Sequence, residues 1–414
     1  MSINYSFIKN FILILLLFII VAVLINIDLI NHFLWKSLNI FDDWRITIDF
    51  LKCNSLGFDI YNNETNSCLD YKMSYGRILL LIPYNENLFK LYYIYTPYLL
   101  IFTSIFLIHK IILPQSIVEW IIFLLCIFNP STLLLYERAN IDLLIFCLVI
   151  ICIYNRYYLV NWFLYFFISF VKIYPSFIFV NFFMEDINRS KKKMIIFALS
   201  LFFLFMIYLL YNYEYDLLAF FGDGATAGKP GYQFIWSLNY LSKIIKYIFN
   251  LNYIFSLFIV FIIFLAITKK ILKTSLIQEK NVNLSFTLKK DDRLFLIGSY
   301  ICLFCYFFFS NWTYREIFLI LTIPYLLNVY KDTDFYNLLS GLIILRYIFS
   351  FIYSYANINI PILYVGGERI LPTTLISILL IKACLDFILM SIIMALSIVK
   401  SKQFLKYLKI KFSY

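Results

Sequence analysis

Over 414 residues, hydrophobic side chains make up 63% and charged ones only 14%. The mean hydropathy of +0.84 excludes an ordinary soluble globular domain. The net charge of +11 could suggest nucleic acid, but Lys and Arg lie mostly in short stretches between apolar runs, a pattern that reports membrane orientation and leaves no nucleic-acid partner expected.

A helix crosses the hydrocarbon core in about 20 apolar residues, and such stretches recur along the chain, whereas a transmembrane β-barrel would show short alternating segments. The expected fold class is therefore all-α: a polytopic transmembrane bundle of about 10–11 spans, forming a single integral membrane domain over 1–414. In chain order, spans are predicted at 11–28, 90–109, 116–133, 141–155, 159–183, 194–212, 252–268, 294–310, 316–329, 336–354 and 372–399. The first run, Phe11 to Ile27, lacks a small-residue cleavage site and reads as an uncleaved span.

Positive clusters set the expected orientation. Arg189 with Lys191, Lys192 and Lys193, the stretch Lys269 to Arg293, and Lys400, Lys402, Lys406, Lys409 and Lys411 should face the cytoplasm. Residues 29–89 then form a large first extracytoplasmic loop and 213–251 a second, while 269–293 is a cytoplasmic loop and 400–414 a basic cytoplasmic tail. Both termini are expected inside, in a bacterial inner membrane. Arg156 and the Arg189 cluster flank a single apolar segment, Val171-Lys172-Ile173-Tyr174-Pro175 lying within it. Pro175 lacks a backbone donor and biases Tyr174 away from helix, so two half-spans meeting near Lys172 would return the chain to the same side. Such a break is tolerated where protein or a cavity covers it.

The polar residues near span ends carry the candidate chemistry. Phe41-Asp42-Asp43-Trp44-Arg45 and Gly57-Phe58-Asp59-Ile60-Tyr61 share the first outer loop. A carboxylate there can serve as a general base or hold a divalent metal; it can equally be a solvated acid or a helix N-cap. Arg138, in Tyr136-Glu137-Arg138-Ala139-Asn140-Ile141-Asp142, can give two parallel hydrogen bonds to a phosphate or pair with Glu137 at the interface. Arg315, in Asn311-Trp312-Thr313-Tyr314-Arg315-Glu316, is a second candidate phosphate clamp or an interfacial anchor. Lys172 lies deep in apolar sequence, where an ionisable group faces a cavity or a partner. Lys382 and Asp386, four residues apart, read as a self-neutralising structural pair.

Six of the eight cysteines lie in apolar runs; Cys53 and Cys68 instead share a polar loop, where an oxidising compartment lets them pair. Gly222 to Lys229 lacks the Lys-Ser/Thr ending of a phosphate loop and reads as a flexible lid. His32 and His109 are far apart in sequence, which disfavours a histidine metal site. No nucleophile elbow and no obvious inverted repeat is present.

Taken in order, Asp42-Asp43-Trp44, Gly57-Phe58-Asp59-Ile60-Tyr61, Glu137-Arg138-Ala139-Asn140-Ile141-Asp142, Lys172-Ile173-Tyr174-Pro175 and Tyr314-Arg315 resemble glycosyltransferase family 87. That family belongs to the GT-C superfamily of polytopic transferases, which use polyprenyl-phosphate sugars on the extracytoplasmic face. The resemblance implies a catalytic carboxylate in the first outer loop. Asp43 fits its spacing to Asp59-Ile60-Tyr61 best, with Asp42 as the alternative. It further implies donor-phosphate contacts from Arg138, Arg315 and Lys172, and substrate contacts from Asn140, Asp142, Asp59 and Tyr174. The implied partners are a polyprenyl-phosphate sugar donor, a lipid or glycan acceptor and membrane lipids; no nucleotide is needed, and a divalent metal stays open as a cofactor because superfamily members differ in its use. The sequence departs from the family in having Arg138-Ala139-Asn140 where relatives commonly have Arg-Gly-Asn. The readings set against transfer are a transporter or flippase, or an envelope-glycan polymerase subunit, handling lipid-linked sugars.

Overall fold

In a computed structural model of the chain, the described residues are 5–27, 40–61, 68–69, 73, 75–172, 174–178, 203, 206–208, 235–236, 238–274, 290–308, 311–329, 331, 333–359, 363–365, 368–370 and 373–412. His32, the Arg189 cluster, most of the span expected at 194–212 and the segment Gly222 to Lys229 lie outside them.

Runs of Ile, Leu and Phe form helix here, and short polar residues cap several of them, α5, α7 and α10 included. The first helices are α1 (Tyr5–Asn26), α2 (Asp42–Ser55), α3 (Glu86–Lys90), α4 (Thr96–Ile112), α5 (Ile117–Phe128), α6 (Pro130–Arg138), α7 (Ile141–Tyr154) and α8 (Tyr158–Val171). They are followed by α9 (Leu238–Phe249), α10 (Tyr253–Leu272), α11 (Lys290–Phe308), α12 (Ile323–Val329), α13 (Asp334–Asn359) and α14 (Thr373–Phe412). Ser116 opens α5 with a capping box: its hydroxyl accepts the Glu119 N–H, and the Glu119 carboxylate accepts the Ser116 N–H, so two end donors are satisfied together. Asn140 and Asn252 cap α7 and α10 with their side-chain oxygens. Two short antiparallel strand pairs complete the connections, β1 (Ile235–Trp236) with β2 (Asn311–Trp312) and β3 (Leu363–Val365) with β4 (Glu368–Ile370).

Four stretches, Glu86–Ile112, Tyr253–Leu272, Phe335–Ala356 and Thr374–Gln403, are long and apolar enough to cross a membrane. The pair α5 and α6, bent by 41°, adds a fifth when taken as one broken span. The bend falls at Asn129, whose extended backbone before Pro130 (ψ 138°) follows from the steric demand of the proline ring. The chain is thus an all-α integral membrane protein. Three further apolar helical stretches, Asn10–Asn26 within α1, Ile141–Tyr154 and Leu159–Val171, have 10–17 residues, fewer than the about 20 that usually cross the hydrocarbon core. The stretch expected as a span at 316–329 is a 3-10 segment, Thr313–Thr322, running into α12. The tail expected from 400 continues α14 as helix to Phe412.

Contacts gather the chain into two compact units. In the first, built from 1–27, 36–107 and 135–230, α1 buries Ile14, Leu17, Val21 and Ile25 while Ile12, Leu16, Ile19 and Val23 stay exposed. A buried stripe at helical spacing with apolar residues on the other face is what a lipid-facing helix requires. Phe18 and Phe102 meet edge to face at 5.6 Å. The second unit, 28–35, 108–134 and 231–414, packs α11 against the 3-10 segment and α13 and α10 against α14.

In this second unit, four charged side chains form a closed ring of alternating sign. Glu316 on the 3-10 segment accepts from Arg346 of α13 and from Lys382 of α14 at 3.1 Å. Asp386, also on α14, accepts from Arg346 Nε at 2.7 Å and Lys382 Nζ at 2.9 Å. Ser131 donates to Glu316 at 3.2 Å. Lys382 and Asp386 do pair, but as half of a larger cluster. At the other end of α14, Lys400 pairs with Asp292 of α11 at 2.8 Å.

The α11 and 3-10 backbones approach at Gly298, where an added Cβ would stand 2.6 Å from Leu321 Cβ and 3.3 Å from the Phe318 carbonyl. Neither neighbour can swing away as a flexible side-chain end could. Gly298→Ala should therefore destabilise the protein by roughly 1–3 kcal/mol despite the better helix propensity of Ala. A lower thermal unfolding midpoint of the purified protein in detergent checks this; an unchanged or higher midpoint would contradict the close approach.

Candidate active site

The site forms in the first unit, where α2 begins. Phe41 takes a left-handed conformation (φ 61°) and donates its N–H to the Glu137 carbonyl at 2.7 Å, which ties the start of α2 to the end of α6. Its ring packs edge to face on Tyr98 at 5.0 Å. Asp42 and Asp43 follow in the first turn of α2, where the helix dipole favours negative charge. Trp44 is buried and donates its indole N–H to the Tyr92 carbonyl at 3.0 Å. Tyr92 lies in a π-helical turn, Leu91–Tyr95, and Trp44 binds α2 to that turn.

The α6–α7 turn brings two donors onto Asp43. Ala139, fully buried, takes φ 45°, a left-handed backbone that ends α6 and reverses the chain within one residue. On either side of it, Arg138 Nη1 donates to Asp43 Oδ1 at 3.1 Å and Asn140 Nδ2 donates to Asp43 Oδ2 at 2.6 Å. The Asn140 carbonyl oxygen meanwhile accepts the Asp142 N–H at 3.0 Å. A single amide thus caps α7 and holds the Asp43 carboxylate. Burial pushes the Asp43 carboxyl above its ordinary 3.8, outweighing Arg138, the Asn140 hydrogen bond and the more distant Lys172, all of which pull it down. The Asp43 side chain keeps 15% of its surface open.

A second charged pair lies behind the first. Asp142 is fully buried and accepts from Lys172 Nζ and from the Tyr174 hydroxyl, both at 2.5 Å. Lys172 stands where α8 stops, with extended backbone (φ −147°, ψ 147°), and the chain resumes at Tyr174 as a 3-10 turn, Tyr174–Ile178. The continuation from 179 to 202 lies outside the described residues. The Lys172 ammonium also lies 5.1 Å from the centre of the Tyr75 ring, within cation–π range. Gly76 N–H donates to the Val171 carbonyl at 3.1 Å, so the loop carrying Tyr75 closes over the end of α8.

The structure thus brings together Asp43, Arg138, Asn140, Asp142, Lys172 and Tyr174, with Asp42 next to Asp43 in the same helical turn. Asp59 stands apart: it is exposed, and its carboxylate accepts the Tyr61 N–H at 3.1 Å in a local turn. Arg315 belongs to the second unit, partly buried at the start of the 3-10 segment. Cys53, near the end of α2, is disulfide-bonded to Cys68. Among the described residues, no group of three or more His, Cys, Asp or Glu is placed to hold a metal ion, and both Asp43 oxygens already accept from nitrogen donors. Sequence reading missed Tyr75, and it quoted Trp44 and Glu137 within motifs without the contacts they make, the Trp44 indole on the Tyr92 carbonyl and the Glu137 carbonyl on Phe41 N–H. No protein-family model, curated protein or solved structure matches the chain.

The Lys172–Asp142 pair sets a clear expectation. Asp142→Asn leaves an uncompensated buried ammonium and should cost about 3–5 kcal/mol of stability, whereas Asp142→Asn with Lys172→Met should restore most of it. Thermal unfolding of the two variants in detergent decides between this coupling and independent effects, which would simply add.

Proposed function

We propose that the chain is a membrane glycosyltransferase of the GT-C type, similar to family 87. In this reading it moves a hexose of mannose-like kind from a polyprenyl-phosphate sugar to a lipid or glycan hydroxyl on the extracytoplasmic face, with inversion. The observation that carries the reading is the Asp43 carboxylate: partly open, held by Arg138 and Asn140, and less acidic than a free aspartate. A base needs a proton affinity matched to its task, and burial raises that of Asp43.

In the proposed step, the acceptor hydroxyl gives its proton to Asp43 as its oxygen attacks the anomeric carbon. The bond from that carbon to the lipid phosphate breaks, and polyprenyl phosphate leaves with the electron pair. Arg138, which donates to the Asp43 carboxylate, would also stabilise the growing phosphate charge. Lys172 acts through its field, since Asp142 holds its ammonium. Arg315 enters from the sequence motif alone. The Cys53–Cys68 bond suits an oxidising compartment and supports an extracytoplasmic α2. The same reading keeps about 10–11 spans, both termini in the cytoplasm and a bacterial inner membrane.

The experiment is transfer of labelled sugar from a panel of polyprenyl-phosphate sugars to extracted membrane lipids. Asp43→Asn should lower transfer by about 10²- to 10⁴-fold, the usual contribution of a positioned base, with donor binding and thermal stability retained. A variant as fast as the wild type would overturn the assignment and favour a transporter of lipid-linked sugars.

The pH dependence provides a second check. Because the Asp43 pKa is raised above its ordinary 3.8, the basic form is populated only above the shifted value, so transfer should fall at a higher pH than a free aspartate would impose. The accompanying stability contribution has the opposite sense: it is fully present below 3.8 and is lost as pH rises through the folded pKa. Transfer rate and unfolding midpoint measured across acid pH should therefore move in opposite directions through that window, and parallel loss of both would indicate acid denaturation instead.

A further inference from the structure

Through Arg346, the charged ring in the second unit borders a cavity that the proposed transfer does not use. Arg346 is 1% exposed and directs Nε to Asp386 and Nη2 to Glu316. Its remaining nitrogen, Nη1, is buried with no hydrogen-bond partner among the described residues. Arg346 also lines a cavity of about 10 Å³ whose wall is completed by Leu319, Thr322, Ile323, Tyr347 and Leu389 among others. That volume corresponds to about one water-sized sphere.

We propose that this cavity is a binding site for one ordered water molecule, held by Arg346 Nη1. Three properties select a neutral acceptor of that size. The ring contains the acids Glu316 and Asp386 and the bases Arg346 and Lys382, so its formal charge sums to zero. An anion would then bring an uncompensated charge into a low-dielectric interior, and a cation would face an N–H donor. The wall is otherwise aliphatic apart from Thr322 and Tyr347. Thr322 Oγ1 already donates to the Leu319 carbonyl at 2.7 Å, so toward a water it can only accept. Water accepts from Arg346 and donates to an oxygen, which is the pattern of a buried structural water.

A water here changes what the ring is. Each of the four carboxylate oxygens of the ring already accepts from Arg346 or Lys382, and Nη1 is the guanidinium nitrogen those acids do not reach. The water supplies that missing acceptor.

Synchrotron X-ray footprinting of the full purified chain in detergent tests the proposal, because hydroxyl radicals generated from a bound water modify side chains beside it even when these are shielded from bulk solvent. Tyr347, 2% exposed, should be modified several-fold faster than Phe264 and Phe123, both 0% exposed and away from the cavity wall. Leu389→Phe, which fills the cavity while leaving every ring member in place, should remove that excess. Equal modification of Tyr347 and the two phenylalanines in the wild type, or an excess that survives Leu389→Phe, would overturn the proposal. So would an anomalous bromide peak at Arg346 Nη1 in crystals grown with bromide, since it would make the occupant an anion.

Discussion

An ionisable group buried in an apolar helical protein must meet its counter-charge inside the protein, because lipid supplies none. The organisation of both units follows from this constraint. In the first, Lys172 interrupts α8 and is matched by Asp142 at the start of α7, with the Tyr174 hydroxyl added to the same oxygen. In the second, Glu316, Arg346, Lys382 and Asp386 close a ring in which each acid meets both bases. Neither cluster is expected to add much net stability over an apolar replacement of the same shape. What they add is specificity: a helix that slid or rotated would leave a bare charge in a low-dielectric interior, so each cluster fixes the register of the elements that contribute to it.

The two clusters achieve this in different ways. The ring joins the 3-10 segment to α13 and α14, and Ser131 adds α6. It also anchors a segment whose residues Ile317 to Leu321 are all buried and whose backbone approach to α11 requires Gly298. The Lys172–Asp142 pair joins two helices whose ends both carry other duties. Asn140 caps α7 and holds Asp43, so the position of Asp142 and that of the candidate base depend on one amide side chain. A disturbance at the deep pair would reach Asp43 through Asn140 without touching it directly.

How much of this was legible in the sequence follows from the range of the forces involved. Hydrophobic runs and their caps are local, so α7, α10, α11 and α13 begin and end close to where the apolar pattern and the polar residues at its ends place them, whereas α14 begins as expected but runs past the expected end at 399 to Phe412. The break at Lys172 was readable because Pro175 acts on its immediate neighbours. Asp42, Asp43, Arg138 and Asn140 stood out as polar residues beside spans. Their mutual geometry depends on a left-handed Ala139, which nothing about alanine announces. The ring was only half visible. Lys382 and Asp386 are four residues apart on one helix, but Glu316 and Arg346 are brought to them from 66 and 40 positions away, and pairing at that separation leaves no local mark. The 3-10 course of Thr313–Thr322 was equally hidden, because the apolar run Ile317 to Leu321 reads as helix.

The state of Asp43 reflects a balance of opposing effects. Burial alone would favour a neutral acid, which could donate a proton but not accept one. Arg138 and Asn140 counter this by donating to the ionised form, and Lys172 adds a favourable field from a distance. If the two donors dominated, the carboxylate would be a tightly held ion with little appetite for a proton, as in an ordinary structural salt bridge. If burial acted unopposed, the pKa would rise further. Burial raises the Asp43 pKa above its ordinary value while Arg138, Asn140 and Lys172 resist the rise, so its affinity for a proton exceeds that of a free aspartate. That combination, beside a guanidinium, distinguishes Asp43 from Asp142 and Asp386, which are each paired with a lysine.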